Sequence, residues 1–307
     1  MNLTYTITET NSFSTVKDLL ISHFCFSHRL ILTLKRQNAI YLNHLPCQIK
    51  DLLMVGDLIE IKFDYLEDNS SVVPTQMPLS ILYEDDWFLV INKKPGIPIH
   101  PSFLHYSDSL SNGVRYYFDN IGLHKKIRPV NRLDKDTSGI VVFAKNEYIQ
   151  ECFIRQMKQG LFEKEYIACV FGHFKQSSGS ICLPIMRKEG SVIERQIAPS
   201  LDLPTAQEAI TTYEVLEEQT IQDIPFSIIK CKLVTGRTHQ IRVHMAAILH
   251  PLLGDTLYNP EPHCELFQRQ ALHGYCVRFI HPISKEVVTY QAPFPEDINH
   301  ILKRNNN

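Results

Sequence analysis

The stretch RPVNRLDKDTSGIVVFAKN, residues 128–146, predicts a charged loop followed by a buried strand. Arg132 and Asp134 stand in the charged half, which leads through a Thr-Ser-Gly turn at 137–139 into the apolar run 140–143. β-Branched and aromatic residues after such a turn are typical of a strand in a protein core. A strand of this kind fixes the loop before it, and such loops often carry functional groups. We therefore predict that Asp134 is a rigidly held functional carboxylate.

The composition is that of an ordinary globular protein. The chain has 307 residues, of which 44% are hydrophobic and 21% charged, enough for a sizeable core and one or two domains. Its apolar runs are too short to cross a bilayer, and its first residues show no signal-peptide pattern. The eight cysteines are scattered without a C-x-x-C pair. This predicts reduced core thiols in a cytoplasmic protein, with no metal site and no membrane contact.

The net charge of −2 does not predict a protein that coats nucleic acid indiscriminately. A local basic face is compatible with it, because binding depends on where the charges lie. The segment HKKIRPVNRLDK, residues 124–135, collects basic side chains: Lys125, Lys126, Arg128, Arg132 and Lys135. A run of charges is by default a solvated surface, but this one surrounds Asp134. It therefore favours a ligand that carries phosphate.

Residues 1–70 are predicted to form a small module of their own. Helical spacing of apolar residues at 16, 19, 20 and 24 is followed by a basic strip. The members of that strip are Arg29, Lys35 and Arg36. Residues 39–47 and 55–63 then predict two strands, and the polar, proline-bearing residues 71–78 predict a linker.

Residues 79–307 are predicted to form the second domain. Many short strand-like runs are separated by turns there, and helices are predicted at a few places, among them 149–160 and 238–249. Strands and helices do not alternate regularly. The pattern therefore favours an α+β fold over a doubly wound parallel sheet.

Three motifs in this domain carry the candidate chemistry. They are YEDDWFLVINKKPGIPIHPS at 83–102, the stretch at 128–146, and VTGRTHQIRVHMAAILHPLLGDTLY at 234–258. In the third motif, His239 and Arg242 lie on one face of a predicted helix. An arginine near a carboxylate would hold it ionised and oriented. Arg242 is the first choice for this role, and Arg237 is the second. Taken alone, the cluster is better explained as an ordinary charged surface.

Taken together, the motifs resemble the RluA-type RNA pseudouridine synthases. The resemblance covers roughly residues 80–295 and includes KEYIACVFG at 164–172 and RQALHGYCVRFIHPISKEVVTYQAPFP at 269–295. It implies a pseudouridine-synthase-type catalytic domain, α+β in class, built on a mostly antiparallel or mixed β-sheet with flanking helices. Residues 1–70 resemble, less closely, the small S-four-like RNA-binding module that is often fused to these enzymes.

The resemblance also implies roles for individual residues. Asp134 matches the catalytic aspartate, and Arg132 matches the arginine that fills the space left by an extruded base. Tyr166 matches the tyrosine that packs against the target base. Arg242 matches the basic partner of the aspartate, with Ile241 beside it as a pocket wall.

Further substrate contacts are expected from neighbouring residues. Arg237, His239 and Asn131 are expected to bind the substrate. The family usually has histidine where this chain has Asn131, and proline is common where it has Lys94; neither departure touches the aspartate. Docking of RNA is expected at basic side chains: Arg29, Lys35, Arg36, Lys125 and Lys126.

The implied reaction isomerises specific uridines in structured RNA, either ribosomal RNA or transfer RNA. The glycosidic bond breaks, the uracil turns, and a new bond forms to carbon 5, so no cofactor is required and a monomer suffices. The carboxylate could attack the sugar, attack the base, or act as a base on the ribose, and the sequence leaves these routes open. The target must leave its stack, at a cost of roughly a few kcal/mol that an aromatic ring and an inserted arginine offset.

Two other classes of protein are alternatives. A non-catalytic RNA-binding relative would have no need for Asp134, Tyr166 and Arg242 together. A carboxylate-based glycosidase would need a second acid across a sugar cleft, and Asp136 is too close in sequence to serve.

The N-terminal module also has two interpretations. If residues 1–70 dock RNA, their deletion is expected to weaken RNA binding and to preserve the chemical step. If the module only covers the catalytic core, its deletion is expected to leave an unstable remainder.

Overall fold

The computed structural model describes residues 1–9, 13–259 and 266–303 of the chain. The first elements are β1 (Asn2–Thr6), α1 (Val16–Ser22), α2 (His28–Arg36), β2 (Ile40–Leu42), β3 (Leu45–Pro46) and β4 (Leu58–Lys62). They are followed by β5 (Ile81–Glu84), β6 (Phe88–Lys93), α3 (Leu110–Asn120), β7 (Arg128–Pro129), β8 (Ser138–Ala144), α4 (Glu147–Lys158), β9 (Glu163–Phe171) and β10 (Ser178–Cys182). The last are β11 (Ile185–Arg187), β12 (Arg195–Ile197), β13 (Ile210–Ile221), β14 (Ile224–Leu233), α5 (Gln240–Ala247), β15 (Leu272–Ile280), β16 (Val287–Gln291) and α6 (Glu296–Lys303). The fold is α+β, as predicted.

The N-terminal elements form an antiparallel sheet in the order β1-β4-β2-β3, on which α1 and α2 pack. Helix α1 begins at a capping box in which Thr15 and Asp18 exchange hydrogen bonds between side chain and backbone. The single strand predicted at 39–47 is instead the hairpin β2–β3. Asn43 and His44 turn the chain there because both adopt left-handed conformations, with φ of 49° and 67°.

This N-terminal module packs directly against α4. The centroid of the Tyr148 ring lies 4.8 Å from that of Phe26 and 6.1 Å from that of Phe63. The backbone N–H and the hydroxyl of Ser27 both donate to the Glu151 carboxylate. One apolar cluster therefore continues from the module into the large sheet. Deletion of the module would expose this cluster to water, so a deletion cannot separate RNA docking from folding.

The segment predicted as a linker, 71–78, has no regular secondary structure but is held against α3. The Asn112 side-chain amide donates to the Val73 carbonyl oxygen at 2.7 Å. Met77 packs where Gly113 leaves room, since a Cβ at that glycine would lie 2.4 Å from Met77 Cγ. The segment is therefore a bound part of the fold.

The large sheet follows the order β10-β13-β14-β9-β15-β8-β6-β5, with β16 paired to β15 and β7 paired to β8. Its neighbouring strands are antiparallel except β8 and β15, which run parallel. The strand predicted at 140–143 is confirmed as β8, which is buried at every position. Ile140 and Val142 face the cluster that contains α4, and Val141 and Phe143 face the cluster that contains α3. The apolar run thus reflects burial on both faces of the sheet.

The two predicted helices exist with shifted starts. Helix α4 begins at Glu147 because the Asn146 side chain caps it, accepting the Ile149 N–H at 3.0 Å. Helix α5 begins at Gln240, since His239 before it is left-handed with φ of 57°. His239 therefore ends the loop, and Arg242 lies in the first turn of the helix.

Candidate active site

The loop that carries Asp134 is anchored to β8 by Asn131. The Asn131 side-chain amide donates to the Ile140 carbonyl oxygen at 2.9 Å, and its oxygen accepts the Val142 N–H at 2.9 Å. Both ends of the amide are therefore engaged within the protein. Asn131 holds the loop in this structure, whereas the prediction had its side chain binding the substrate.

Close backbone contact at the start of β8 requires glycine. Gly139 has φ of 120°, and a Cβ there would lie 2.2 Å from the Gly274 carbonyl oxygen of β15. Residues with side chains rarely adopt this conformation. Gly274 pairs with Gly139 on one side and with Tyr166 of β9 on the other. This register brings Tyr166 beside the Asp134 loop.

A buried lysine supports the same loop. Lys93 is 1% exposed, and its Nζ donates to the carbonyl oxygens of Lys135 at 2.8 Å and Lys94 at 3.0 Å. Burial lowers the pKa of Lys93 to about 7, although the carboxylates of Asp136 and Asp134 oppose the shift. The ammonium group thus ties the end of β6 to the backbone next to Asp134.

We expect the buried Lys93 to make stability depend on pH. The unfolded chain restores the ordinary lysine pKa of 10.5, so it binds more protons than the folded chain between about pH 7 and pH 10.5. The free energy of unfolding of the wild type should therefore rise through this window, relative to Lys93→Met, by about 1 kcal/mol per pH unit. Urea unfolding of both proteins across the window measures the difference. Lys94→Met, which removes an exposed amine, should keep the wild-type slope; parallel curves for wild type and Lys93→Met would contradict the expectation.

Asp134 is paired with an arginine that a second carboxylate holds in place. Arg242 donates from one terminal nitrogen to Asp134 Oδ2 at 3.2 Å. Its Nε and other terminal nitrogen donate to the two oxygens of Asp255 at 2.7 and 2.8 Å. Asp255 is fully buried and also accepts the N–H groups of Leu257 and Tyr258. Burial alone would lower the pKa of Arg242, but the two carboxylates outweigh it and raise that pKa. The guanidinium is therefore charged and oriented toward Asp134.

His239 and Tyr258 complete the polar side of the site. The Tyr258 oxygen accepts the Arg195 N–H at 2.8 Å and lies 2.7 Å from His239 Nδ1. His239 Nε2 lies 3.8 Å from Asp134 Oδ2. Burial lowers the pKa of His239 against the opposing charge of Asp134, and the ring faces that carboxylate.

An apolar wall lies beside the carboxylate. Tyr166 is 6% exposed and clusters with Ile241, Leu133 and Leu272. Burial, together with the charge of Asp134, raises the pKa of the Tyr166 hydroxyl, so it stays protonated at neutral pH. The site therefore combines a carboxylate with a flat aromatic surface.

These groups line one cleft with a volume of about 490 Å³. It brings together the predicted residues Asn131, Arg132, Asp134, Tyr166, Arg237, His239, Ile241 and Arg242. Arg132 is exposed, and within the described part of the chain no hydrogen bond or ion pair engages its guanidinium. The Arg237 Nε donates to the Glu208 carbonyl oxygen at 2.8 Å. Of the two arginines considered for the role, Arg242 is the one that reaches Asp134.

The basic segment before the loop is partly buried. Lys125 donates from Nζ to the Tyr65 carbonyl oxygen and lies 3.8 Å above the centroid of that ring. Arg128 is buried in ion pairs with Glu67 and Glu147. The prediction that Lys125 docks RNA is therefore wrong, because these cations hold neighbouring segments of the fold. The other residues of that prediction are exposed, and their contact with RNA stays a prediction: Arg29, Lys35, Arg36 and Lys126.

Sequence reasoning missed Asp255 and Tyr258. Both stand in the motif that carries Arg242, and Asp255 follows it by 13 positions. The Gly254-Asp255 pair is a turn signal, and a turn at this distance returns the chain to the preceding helix. That signal could have identified Asp255 as the partner of the arginine.

Three general features of the described residues bear on cofactors and location. In residues 1–9, 13–259 and 266–303, no group of three or more His, Cys, Asp or Glu side chains is placed to hold a metal ion. The helices in these ranges are all too short or too polar to span a membrane. Six of the described cysteines are free thiols: Cys25, Cys47, Cys152, Cys182, Cys231 and Cys276.

Comparison with known proteins identifies relatives of this chain. A family model described as RNA pseudouridylate synthase matches residues 87–247. The uncharacterized RNA pseudouridine synthase YjbO of Bacillus subtilis is 38% identical over 258 residues, covering 84% of this chain and 87% of that protein. The ribosomal large subunit pseudouridine synthase D of Neisseria meningitidis serogroup A is 36% identical over 284 residues, covering 89% of this chain and 73% of that protein.

A solved structure is also similar to this chain. Human RNA pseudouridylate synthase domain containing 1 superposes with a TM-score of 0.59 at 30% identity, covering 71% of this chain and 84% of that one. The identity and coverage of these matches confirm the resemblance of the motifs. The chain belongs to the RluA-type RNA pseudouridine synthases, isomerases that act on RNA.

Proposed function

We propose that this chain isomerises specific uridines of ribosomal RNA to pseudouridine, with Asp134 as the catalytic carboxylate. The observation that carries the proposal is the pair of Asp134 and Arg242 at 3.2 Å, in a cleft beside the Tyr166 ring. Ribosomal RNA is favoured over transfer RNA because relatives that are 36% and 32% identical are named ribosomal large subunit pseudouridine synthases.

The arrangement suits a reaction that needs an ionised carboxylate next to a pyrimidine. The bond from the ribose carbon to N1 of uracil breaks, a bond to C5 forms, the C5 proton leaves, and N1 gains a proton. Arg242 donates a charged hydrogen bond to Asp134, whose side chain is 19% exposed and so accessible from the cleft. The carboxylate can then attack the sugar or the base, or take a proton from the ribose.

Two groups of the cleft can support extrusion of the uridine from its stack. The Tyr166 ring offers a flat surface for the extruded base, and the exposed guanidinium of Arg132 can enter the space that the base leaves. Aromatic stacking contributes about 1–3 kcal/mol per base, comparable with the unstacking cost. Base extrusion therefore has its two supporting groups in one cleft.

The site argues against a glycosidase. Asp255 is the carboxylate that shares Arg242 with Asp134, but it is fully buried and bound by two nitrogens of the guanidinium. It cannot donate a proton to a sugar in the cleft. A protein that only binds RNA would have no use for a charged pair arranged in this way.

Tritium release tests the proposed function. Large-subunit ribosomal RNA and transfer RNA, each transcribed with carbon-5-tritiated uridine, are incubated with the protein. Tritium should be released from the ribosomal RNA, and pseudouridine mapping in cells with and without the protein then gives the position. No release from either RNA would contradict the proposal, and release from transfer RNA alone would replace ribosomal RNA as the substrate.

We also propose that the predicted module, residues 1–70, docks RNA through α2. Its basic side chains Arg29, Lys35 and Arg36 are exposed, while Leu30 and Leu34 bury the opposite face of the helix. Phosphate contacts from such a face position a substrate without reading its sequence. The remaining chain from residue 79 supplies the cleft.

Neutralising the three cations of α2 together, as R29Q, K35Q and R36Q, should lower RNA affinity about tenfold and reduce the slope of log K against log salt by roughly 2. The single-turnover rate at saturating RNA should be preserved, because α2 contributes no residue to the cleft. Filter binding at several salt concentrations measures both effects. Lys17→Gln with Lys50→Gln, two exposed cations outside α2, is the matched control. Equal affinity and salt slope in the α2 variant and the wild type would rule out docking by α2.

We propose further that the protein acts in the cytoplasm, as a monomer and without a cofactor. A reducing compartment fits the six free thiols named above. The reaction rearranges bonds within one nucleotide, so it needs no oxidant and no imported group.

A further inference from the structure

We propose that the turn formed by Phe103 and Leu104 stacks against an unpaired nucleobase of the RNA, next to the uridine that enters the cleft. This inference rests on the proposed function and adds a substrate contact to it. Phe103 is 99% exposed and Leu104 is 83% exposed. Phe103 has the most exposed side chain among the large apolar residues of the described chain. Covering such a side chain with a partner removes apolar surface from water, which is favourable.

Hydrogen bonds of its own backbone close the turn. Ser102 and His105 exchange two backbone hydrogen bonds, each of 3.1 Å, which close the turn and point its tip outward. His105 Nδ1 also lies 2.8 Å from the Asp108 carboxylate. The tip thus stands on a closed base.

The base of the turn is fastened to α3. The Leu110 N–H donates to the Pro98 carbonyl oxygen at 2.8 Å, and the Ser111 hydroxyl donates to the Ile99 carbonyl oxygen at 2.7 Å. The Asn112 side-chain amide donates to the Tyr106 carbonyl oxygen at 3.1 Å. The aromatic tip is therefore pre-organised, so the protein loses little conformational entropy when a ligand stacks on the ring.

The turn lies beside the catalytic loop. Burial and the positive charge of Arg132 both lower the pKa of His100, which precedes the turn. The hydrogen bond from His105, with a smaller contribution from the charge of Lys135, lowers the pKa of Asp108. Arg132 and Lys135 belong to the Asp134 loop. Lys93 Nζ donates to the carbonyl oxygens of both Lys94 and Lys135, so the segment that leads into the turn starts beside that loop.

The space between turn and cleft is basic. Lys94, Arg132 and Lys135 are exposed there, and the buried Lys93 holds the backbones of Lys94 and Lys135 together. A basic strip that ends in an exposed aromatic ring matches a ligand with a phosphate backbone and flat bases. A stable protein interface buries roughly 1,200–2,000 Å², which a tip of two side chains does not supply. The chemistry of the surface therefore favours a single-stranded part of the RNA substrate.

Phe103→Ala tests the proposal in the full-length protein with a large-subunit ribosomal RNA transcript. We expect the RNA concentration at half-maximal single-turnover rate to rise about tenfold. The rate at saturation should change far less, because the ring lies outside the reacting groups. Phe103→Tyr, which keeps a stacking ring, should restore the affinity. Val287→Ala is the control for loss of an exposed apolar side chain. Val287 pairs with Ile280, which is the end of β15 away from Gly274 and the Asp134 loop.

Fluorescence gives a direct view of the contact. In Phe103→Trp, RNA that stacks on the indole should quench its emission, and a wild-type titration supplies the background from Trp87, the single tryptophan of the natural chain. Unchanged affinity in Phe103→Ala, or unquenched emission in Phe103→Trp, overturns the proposal. Phe103→Ala could also keep full RNA affinity but lose self-association, or lose binding to vesicles of phosphatidylglycerol. Either result would mean that a second copy of the chain or a membrane covers the ring, and it also overturns the proposal. Tritium release by the wild type is independent of these results, so failure of this inference and failure of the proposed function are distinguishable.

Discussion

Asp134→Asn is expected to abolish uridine isomerisation and to leave RNA affinity within about twofold of the wild type. The amide keeps the size and the loop of the aspartate but has no negative charge. It can neither act as a nucleophile nor take a proton. Removal of a nucleophile or general base that acts in the transition state typically costs a thousandfold or more in turnover. Affinity comes mainly from contacts between basic side chains and phosphates, which this substitution does not touch.

Single-turnover release of tritium from the ribosomal RNA transcript measures the loss, with filter binding to confirm affinity. Asp136→Asn is the matched control: the residue stands in the same loop and is half-buried, but it makes no hydrogen bond to Arg242. It should keep most of the activity. Turnover by Asp134→Asn within tenfold of the wild type would remove Asp134 from the proposed mechanism.

The position of the carboxylate could be predicted because its signal is local. The apolar run 140–143 is continuous since β8 is buried on both faces, and the turn before it is encoded by Gly139. A strand and the loop that precedes it are neighbours in sequence as well as in space. The sequence therefore indicated that Asp134 is held rigidly before any distance was known.

The supporting residues could not be predicted in the same way, because burial of a cation depends on distant partners. Lys93 lies under a loop that begins some forty residues later, at 131. Lys125 is covered by Tyr65 from the N-terminal part of the chain. In a one-dimensional pattern, both lysines look like solvated surface charges. Asp255 was hidden for the same reason, since an acid in a turn is ordinarily exposed.

The module illustrates a second limit. Its helices, sheet and basic strip follow from local pattern, but its contact with α4 depends on how Phe26, Phe63 and Tyr148 meet. No periodicity in either segment indicates which face finds which partner. The sequence alone left docking and covering as exclusive alternatives, and the packing shows that the module covers the core whether or not it docks RNA.

Arg242→Ala is expected to lower turnover about a hundredfold, because Asp134 loses the charged group that donates to it at 3.2 Å and orients its carboxylate. His239 is the other titratable group that faces Asp134, with Nε2 at 3.8 Å. The charge of Arg242 contributes to lowering the pKa of His239, so the imidazole can gain a proton in the variant and partly replace the lost cation. The loss of turnover should therefore be larger when His239→Gln is added.

The fold must survive for this test to be informative, because Arg242→Ala leaves the buried Asp255 without its partner. An uncompensated buried charge costs about 3–5 kcal/mol. Arg242→Ala combined with Asp255→Asn removes both charges and should retain the wild-type circular dichroism and melting curve. Arg237→Ala is the control, since its guanidinium bonds the Glu208 carbonyl oxygen and not Asp134; its single-turnover rate at saturating RNA should match that of the wild type. Single-turnover release of tritium measures these rates, and a folded double variant that keeps the wild-type rate would remove Arg242 from the proposed mechanism.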